Sequence, residues 1–358
     1  MTDQNFLPLI FKPFKKVLIA NRGEIAVRVI RACRDLNLSP YAVYSEADLH
    51  SRHVALADKA VCIGKGPSSE SYLVMQNIIA AAKQMGAEAI HPGFGFLSEN
   101  AEFANEVLKA GLVWIGPAPF SIHAMGDKTF AKKQVSSAGV PCSPGKNDPL
   151  ENLDDLKQIA KKIGYPLILK ATSGGGGRGM RVVRKDEELA PAFEACTREA
   201  KSYFGNPSVF CERYIEHPRH VEFQVLADGH GNTVHLFERD CTIQRRHQKL
   251  IEESPSQYIS EEIRQRMGDI AIKAAQSVNY VNAGTVEFIL ESPTQFYFME
   301  MNTRIQVEHP VTELVTGLDL VQWQIKIAMG ETLSFKQQDI KIRGHAFEAR
   351  IKIGRAHV

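Results

Sequence analysis

Residues 173–181 read Ser-Gly-Gly-Gly-Gly-Arg-Gly-Met-Arg. Glycine lets backbone amides approach phosphate oxygens closely, and a loop of glycines makes an anion-binding concavity. Gly174, Gly176 and Gly179 satisfy the spacing GxGxxG, but that fingerprint needs a strand before it and a helix after it. Here strands are expected on both sides, over Pro166–Ala171 and Met180–Arg184, so the loop joins a hairpin. The phosphate-loop pattern fails as well, because Met180 and Arg181 stand where it requires Lys and Ser or Thr. A hairpin loop of this kind suits a lid closing over a triphosphate. The alternative is a plain surface loop, which so many glycines would make entropically costly.

Strand side chains alternate faces, so positions of equal parity share a side. Between Phe296 and Glu308 the even positions from 300 are Glu300, Asn302, Arg304, Gln306 and Glu308, whereas Met299, Met301, Ile305 and Val307 occupy odd ones. One extended segment is therefore expected to line up five polar groups, with Glu287 on the neighbouring strand. Two carboxylates and an amide oxygen are the hard ligands that magnesium takes when it bridges phosphates. Arg304 offers a forked donor set for a planar oxyanion, and Glu308 a general base. An ordinary solvated strand face is the other reading; the bunching of Asn, Arg and Gln without lysine favours a site. Further back, Arg245, Arg246, His247 and Lys249 make an anion site if they face inward and a solvated turn if they face outward.

These segments need a scaffold. Residues 16–20 read as a buried strand, followed by a helix to Leu36 with Ile25, Val29, Ile30, Cys33 and Leu36 at helical spacing. Strands at 41–44, 60–63, 88–90 and 112–115 alternate with helices over 72–85 and 102–109, which predicts a doubly wound parallel sheet ending near residue 125. The turn after its first strand has only Gly23, so no nucleotide is expected there. A helix follows over 127–138. After a smaller unit at 155–215, strands are expected at 221–226, 233–238, 285–290 and 296–301, with a helix at 261–278.

Length (358 residues) exceeds one ordinary core and predicts two or three domains. A net charge of +2 gives no electrostatic case for nucleic acid or an anionic membrane, and no apolar run reaches a membrane span. Six scattered cysteines, none in a CxxC pair, argue against zinc and for a reducing compartment. The start lacks the pattern of a secretion signal, and a cytoplasmic location is expected.

Taken together, VLIANRGEIAVRVIRAC at 17–33, HPGFGFLSENAEFA at 91–104, MGDK at 125–128, KATSGGGGRGMRVV at 170–183, PRHVEFQVL at 218–226, ERDCTIQRRHQK at 238–249 and FMEMNTRIQVEHPVTE at 298–313 resemble biotin carboxylase. The resemblance runs in order over residues 15–351. It implies an α/β fold with an N-terminal Rossmann-like domain at 15–125 behind a short tail at 1–14. An ATP-grasp domain follows at 126–340, its lid at about 142–215, and then the start of a C-terminal domain at 341–351. It implies that Lys128 and Lys170 bind nucleotide, that Gly176 and Gly177 cover the phosphates, and that Glu212, Arg213, Tyr214 and Ile215 meet adenine with His220 and His247 nearby. Glu287, Glu300 and Asn302 match ligands of Mg2+ or Mn2+, with the first two also in the ATP site. Lys249, Arg304, Val307 and Arg350 match the bicarbonate pocket, Glu308 the base, and Arg350 the arginine facing biotin.

The implied activity is ATP-dependent carboxylation of biotin by bicarbonate, as in acetyl-CoA carboxylase, with the pyruvate, propionyl-CoA and methylcrotonyl-CoA enzymes as alternatives. A biotin carboxyl carrier protein, carboxyltransferase subunits and a homodimer are the implied partners. A different ATP-grasp ligase, such as a carbamoyl-phosphate synthase half, shares the lid and the metal hairpin. A non-catalytic ATP-binding module is the third reading, and it is expected to have lost Lys249, Arg304 or Glu308. No Ala-Met-Lys-Met attachment sequence is present, so biotin is expected on another chain or on a missing part. The resemblance stops at Ile351. A common sequencing adapter, AGATCGGAAGAGCACACGTCTGA, read from its third base encodes Ile-Gly-Arg-Ala-His-Val and a stop, which matches residues 353–358. Residues 352–358 are therefore expected to be read-through. A product ending there is expected to expose apolar surface, to be poorly soluble and to be largely inactive.

Overall fold

Val17, Leu18 and Ile19 are fully buried in β1 (Lys16–Ile19), as befits a central parallel strand covered on both faces. In the computed structural model, which describes residues 6–146, 148–172 and 179–351, β1 begins an alternating unit. It continues through α1 (Gly23–Asp35), β2 (Ser39–Ser45), α2 (Arg52–Leu56), β3 (Lys59–Gly64), α3 (Met75–Met85), β4 (Ala89–His91), α4 (Ala101–Lys109), β5 (Val113–Trp114) and α5 (Pro119–Gly126). The strands are parallel in the order β3-β2-β1-β4-β5, the expected Rossmann-like sheet. Helix α3 starts at Met75, three residues later than its periodicity suggests. Tyr72 instead turns its ring into the core, and its hydroxyl donates to Asp48 at 2.8 Å.

Helix α6 (Lys128–Ser137) opens the second unit, and the Asp127 side chain caps it by accepting from the Thr129 and Phe130 amides. A smaller sheet follows. It is built from β6 (Gly145–Lys146), β7 (Leu167–Ala171), β8 (Met180–Val183) and β9 (Val209–Arg213), with α7 (Leu153–Ile163) and α8 (Leu189–Phe204) packed on it. Its order is β6-β9-β7-β8, and β7 pairs antiparallel with β8 as the hairpin reading requires. Gly176 and Gly177 lie outside the described residues.

The third sheet carries most of the polar groups. It comprises β10 (Arg219–Ala227), β11 (Thr233–Arg245), β12 (Gln248–Ser254), β13 (Asn282–Leu290), β14 (Phe296–Asn302) and β15 (Ala346–Ala349), antiparallel in the order β14-β13-β10-β11-β12-β15. Along β10 the sequence HVEFQV alternates. Val221, Phe223 and Val225 pack on Met267, Ala271 and Ala274 of α9 (Glu261–Gln276), which turns Glu222 and Gln224 to the other face. Helices α10 (His309–Thr316) and α11 (Leu320–Ala328) complete the unit. Leu226, Leu236, Trp323 and Ile325 share one apolar core with Ile19, Ala26 and Val29, which joins the two halves. At the outer strand β15, Phe347 is 64% exposed and Ile351 86% exposed. Among the described residues no helix is long and apolar enough to cross a membrane.

One expectation needs correction. The polar stripe from Glu300 to Glu308 is not a single strand, because β14 ends at Asn302 and Glu308 is the N-cap of α10. Arg304 Nε and the Thr303 amide both bond to Glu99 of the first unit, which draws the chain out of the sheet.

Candidate active site

The antiparallel register sets Arg239 opposite Glu222, Glu222 opposite Glu287, and Glu287 opposite Glu300. Three carboxylates thus stand in one row across β10, β13 and β14. Like charges directly opposite each other repel, so such a row needs cations. Lys249 supplies the first: its Nζ bonds to Glu222, to Glu287 Oε1 at 3.0 Å and to Glu308 Oε1 at 2.8 Å. Burial works against the ammonium, but the surrounding Glu222, Glu287 and Glu308 carboxylates outweigh it and hold its pKa well above the usual value. His220 Nε2 lies 2.7 Å from Glu287 Oε2, and this carboxylate raises the imidazole pKa against the pull of burial. Arg239, fully buried, donates to Glu222, Gln224, Thr285, Gln306 and Thr312 and so fixes the floor.

Above this row lies a cleft of about 620 Å³. All the site residues that the resemblance implies and that lie in the described segments line it: Lys128, Lys170, Glu212 to Ile215, His220, His247, Lys249, Glu287, Glu300, Asn302, Arg304, Val307, Glu308 and Arg350. The basic cluster divides at the β11–β12 turn. Arg246 and His247 both have positive φ (53° and 61°), as a two-residue hairpin turn matched to the strand twist requires, at a cost of roughly 1–2 kcal/mol per residue. This sends Lys249 inward and leaves Arg245 and Arg246 exposed, while His247 stays at the rim.

Glu308 accepts from Lys249 with one oxygen and from Arg350 Nη2, at 2.7 Å, with the other. Burial raises its pKa, and Lys249, Arg239 and Arg350 overcome that, leaving the carboxyl below its ordinary range and ionised at neutral pH. Arg350 reaches it because β15 pairs with β12, and its Nε is held by Glu252 at 3.0 Å. Glu287 is held well below its usual value: burial opposes, and Lys249 and His220 prevail.

At the other end of the cleft, Lys132 lies one helical turn beyond Lys128 on α6, which places both on one side. Lys132 and Lys170 both bond to the buried Glu212 carboxylate. Burial raises the Glu212 pKa, but the two ammonium groups pull it down to about 2 from an ordinary 4.5. The folded pKa is the lower one. The ion pair therefore stabilises the fold fully above about pH 4.5 and loses its contribution as pH falls towards 2. Glu212→Gln is expected to destabilise the fold by about 3–5 kcal/mol at neutral pH, because two cations lose their buried partner. The gap in melting temperature between variant and wild type should narrow on acidification below pH 4.5; a gap independent of pH would refute this account.

Lys132, Glu222 and Arg239 are absent from the sequence-based site, whereas Gln306, named in the polar stripe, lines the cleft. Lys132 could have been found from its i+4 spacing to Lys128. The polar alternation of β10 marks Glu222, but nothing local marks Arg239. The donor set suits a hard divalent cation. Glu287 and Glu300 are cross-strand neighbours, and Asn302 Oδ1 lies two residues along the same strand.

Residues 13–122 match the family described as biotin carboxylase, N-terminal domain, and residues 127–336 that described as carbamoyl-phosphate synthase L chain, ATP binding domain. The chain is 55% identical over 338 residues to a biotin carboxylase of Nostoc sp., covering 94% of this chain and 76% of that one. It is 54% identical over 343 residues to the mitochondrial methylcrotonoyl-CoA carboxylase subunit alpha of Dictyostelium discoideum. That match covers 96% of this chain and spans about half (49%) of the relative. A solved structure of the biotin carboxylase domain dimer of Hydrogenobacter thermophilus 2-oxoglutarate carboxylase, in complex with MgADP, ADP and bicarbonate, superposes with a TM-score of 0.90. Its sequence identity is 51%, over 94% of this chain and 74% of that one. The ATP-binding description is shared with another class of ligase, but the N-terminal match and the relatives spanning both units are specific: the chain belongs to the biotin carboxylase family.

Proposed function

We propose that this chain uses MgATP and bicarbonate to carboxylate biotin borne on a carrier protein. The observation that carries the reading is the Lys249 ammonium, bonded to Glu222, Glu287 and Glu308 where the row of carboxylates meets the cleft. Arg304 and Lys249 bind bicarbonate beside the Val307 backbone. Glu308, already ionised, takes its proton as the bicarbonate oxygen attacks the γ-phosphorus of ATP, giving carboxyphosphate and ADP. Lys128 and Lys170 neutralise phosphate charge, Gly176 and Gly177 close over it, and Glu212 to Ile215 receive the adenine with His220 and His247. Glu287, Glu300 and Asn302 would hold magnesium or manganese, which would supply positive charge to the phosphates. Carboxyphosphate breaks to carbon dioxide and phosphate, and the phosphate removes the ureido proton of biotin. Arg350 stabilises the resulting enolate-like oxygen, and the biotin nitrogen then attacks carbon dioxide to form carboxybiotin.

Acetyl-CoA carboxylase, with separate carrier and carboxyltransferase subunits in the cytoplasm, is the assembly we favour, supported by the similarity to the biotin carboxylase of Nostoc sp.. The similarity to a methylcrotonoyl-CoA carboxylase subunit supports a second reading with a different acyl acceptor. A symmetric pair of chains is proposed after the Hydrogenobacter dimer. Radiolabelled bicarbonate is expected to pass to biotin in the presence of MgATP, using the chain expressed from its complete reading frame. Label that stays in bicarbonate while ATP is cleaved would point to another ligase.

A further inference from the structure

Glu99 lies in the first unit, one residue before Asn100, whose side chain caps α4 by accepting from the Phe103 amide at 2.8 Å. Its carboxylate is planted on a rigid helix start, and its two oxygens are divided. Oε1 accepts from the Thr303 amide at 3.1 Å, and Oε2 accepts from Arg304 Nε at 2.9 Å. The guanidinium continues the chain of bonds: Nη2 donates to Asn302 Oδ1 at 3.2 Å and Nη1 to the Ile305 carbonyl at 3.3 Å. Asn302 Nδ2 then donates to Glu287 Oε1 at 2.6 Å. A continuous hydrogen-bonded path therefore runs from the parallel-sheet unit to the middle of the carboxylate row.

The segment from Thr303 to Gln306 has no sheet ladder to hold it. An arginine on such a segment has many rotamers to lose before it can meet a planar anion. Of the five N–H groups a guanidinium carries, these contacts occupy three and leave two for a ligand. We infer that Glu99 is a positioning residue for the reaction proposed above, a carboxylate of the first unit that aims Arg304 at bicarbonate in the second. The inference rests on that functional reading. A second possibility has the opposite sign: a carboxylate that merely competes with bicarbonate for Arg304 would weaken anion binding.

The Glu99 side chain is 42% exposed, so a substitution there leaves no buried hole. The test is bicarbonate-dependent ADP release by the wild type, Glu99→Gln and Glu99→Asp, each expressed from the complete reading frame. Glu99→Gln is expected to raise the bicarbonate KM roughly tenfold while the ATP KM stays within about twofold. Its melting temperature should be unchanged, and Glu99→Asp should recover part of the loss. An unchanged or lower bicarbonate KM in Glu99→Gln overturns the inference, as does an equal rise in both KM values with a lower melting temperature. A wild type whose ADP release ignores bicarbonate overturns the functional reading as well.

Discussion

Lys249→Gln is expected to abolish bicarbonate-dependent ADP formation. Lys249 is the only residue bonded to Glu222, Glu287 and Glu308 together among the described residues, and the carboxylates hold it charged despite its burial. Glutamine keeps a donor of similar reach but removes the charge that the bicarbonate oxygens need as they attack phosphorus. Losing one preorganised charge at a developing oxyanion costs roughly 10²–10³-fold in rate, and here it also frees three acids to repel one another and the incoming anion. The variant should still bind ATP at the Glu212–Ile215 end of the cleft, which distinguishes a chemical defect from unfolding. An unchanged rate of ADP release would remove Lys249 from the mechanism.

Glu308→Gln is expected to stop turnover, by roughly 10²–10⁴-fold, with ATP still bound. The glutamate is ionised because Lys249 and Arg350 each donate to one of its oxygens, at 2.8 and 2.7 Å. A carboxylate so stabilised is a weak base towards free bicarbonate, so the proton must move as the P–O bond forms and the departing hydrogen becomes acidic. Glutamine cannot accept it, and its amide also turns an N–H towards one of the two cations. Nucleotide affinity measured by titration should be preserved. Retained turnover would mean that another group is the base.

How much of this was legible in the sequence depends on how local each signal is. The strand-helix alternation up to Trp114 and the glycine hairpin between Leu167 and Val183 follow from short-range patterns, and both form. The stripe of Glu300, Asn302, Arg304, Gln306 and Glu308 led to the right wall of the cleft through the wrong geometry. Parity accounts only for Glu300 and Asn302. Arg304 and Glu308 are brought round by the bonds to Glu99 and by the start of α10. Glu222 and Arg239 escaped because their meaning lies in a register between strands, and one residue of slip would have put them on the α9 face. Glu99 escaped because beside Asn100 it reads as an ordinary helix entrance, and its partners lie more than two hundred residues away.

The most direct test of the account is ADP release from MgATP by the chain expressed from its complete reading frame, measured with and without bicarbonate and then with free biotin added. The account predicts little release without bicarbonate, release once it is present, and stimulation by biotin. Equal ATP cleavage under all three conditions would contradict it.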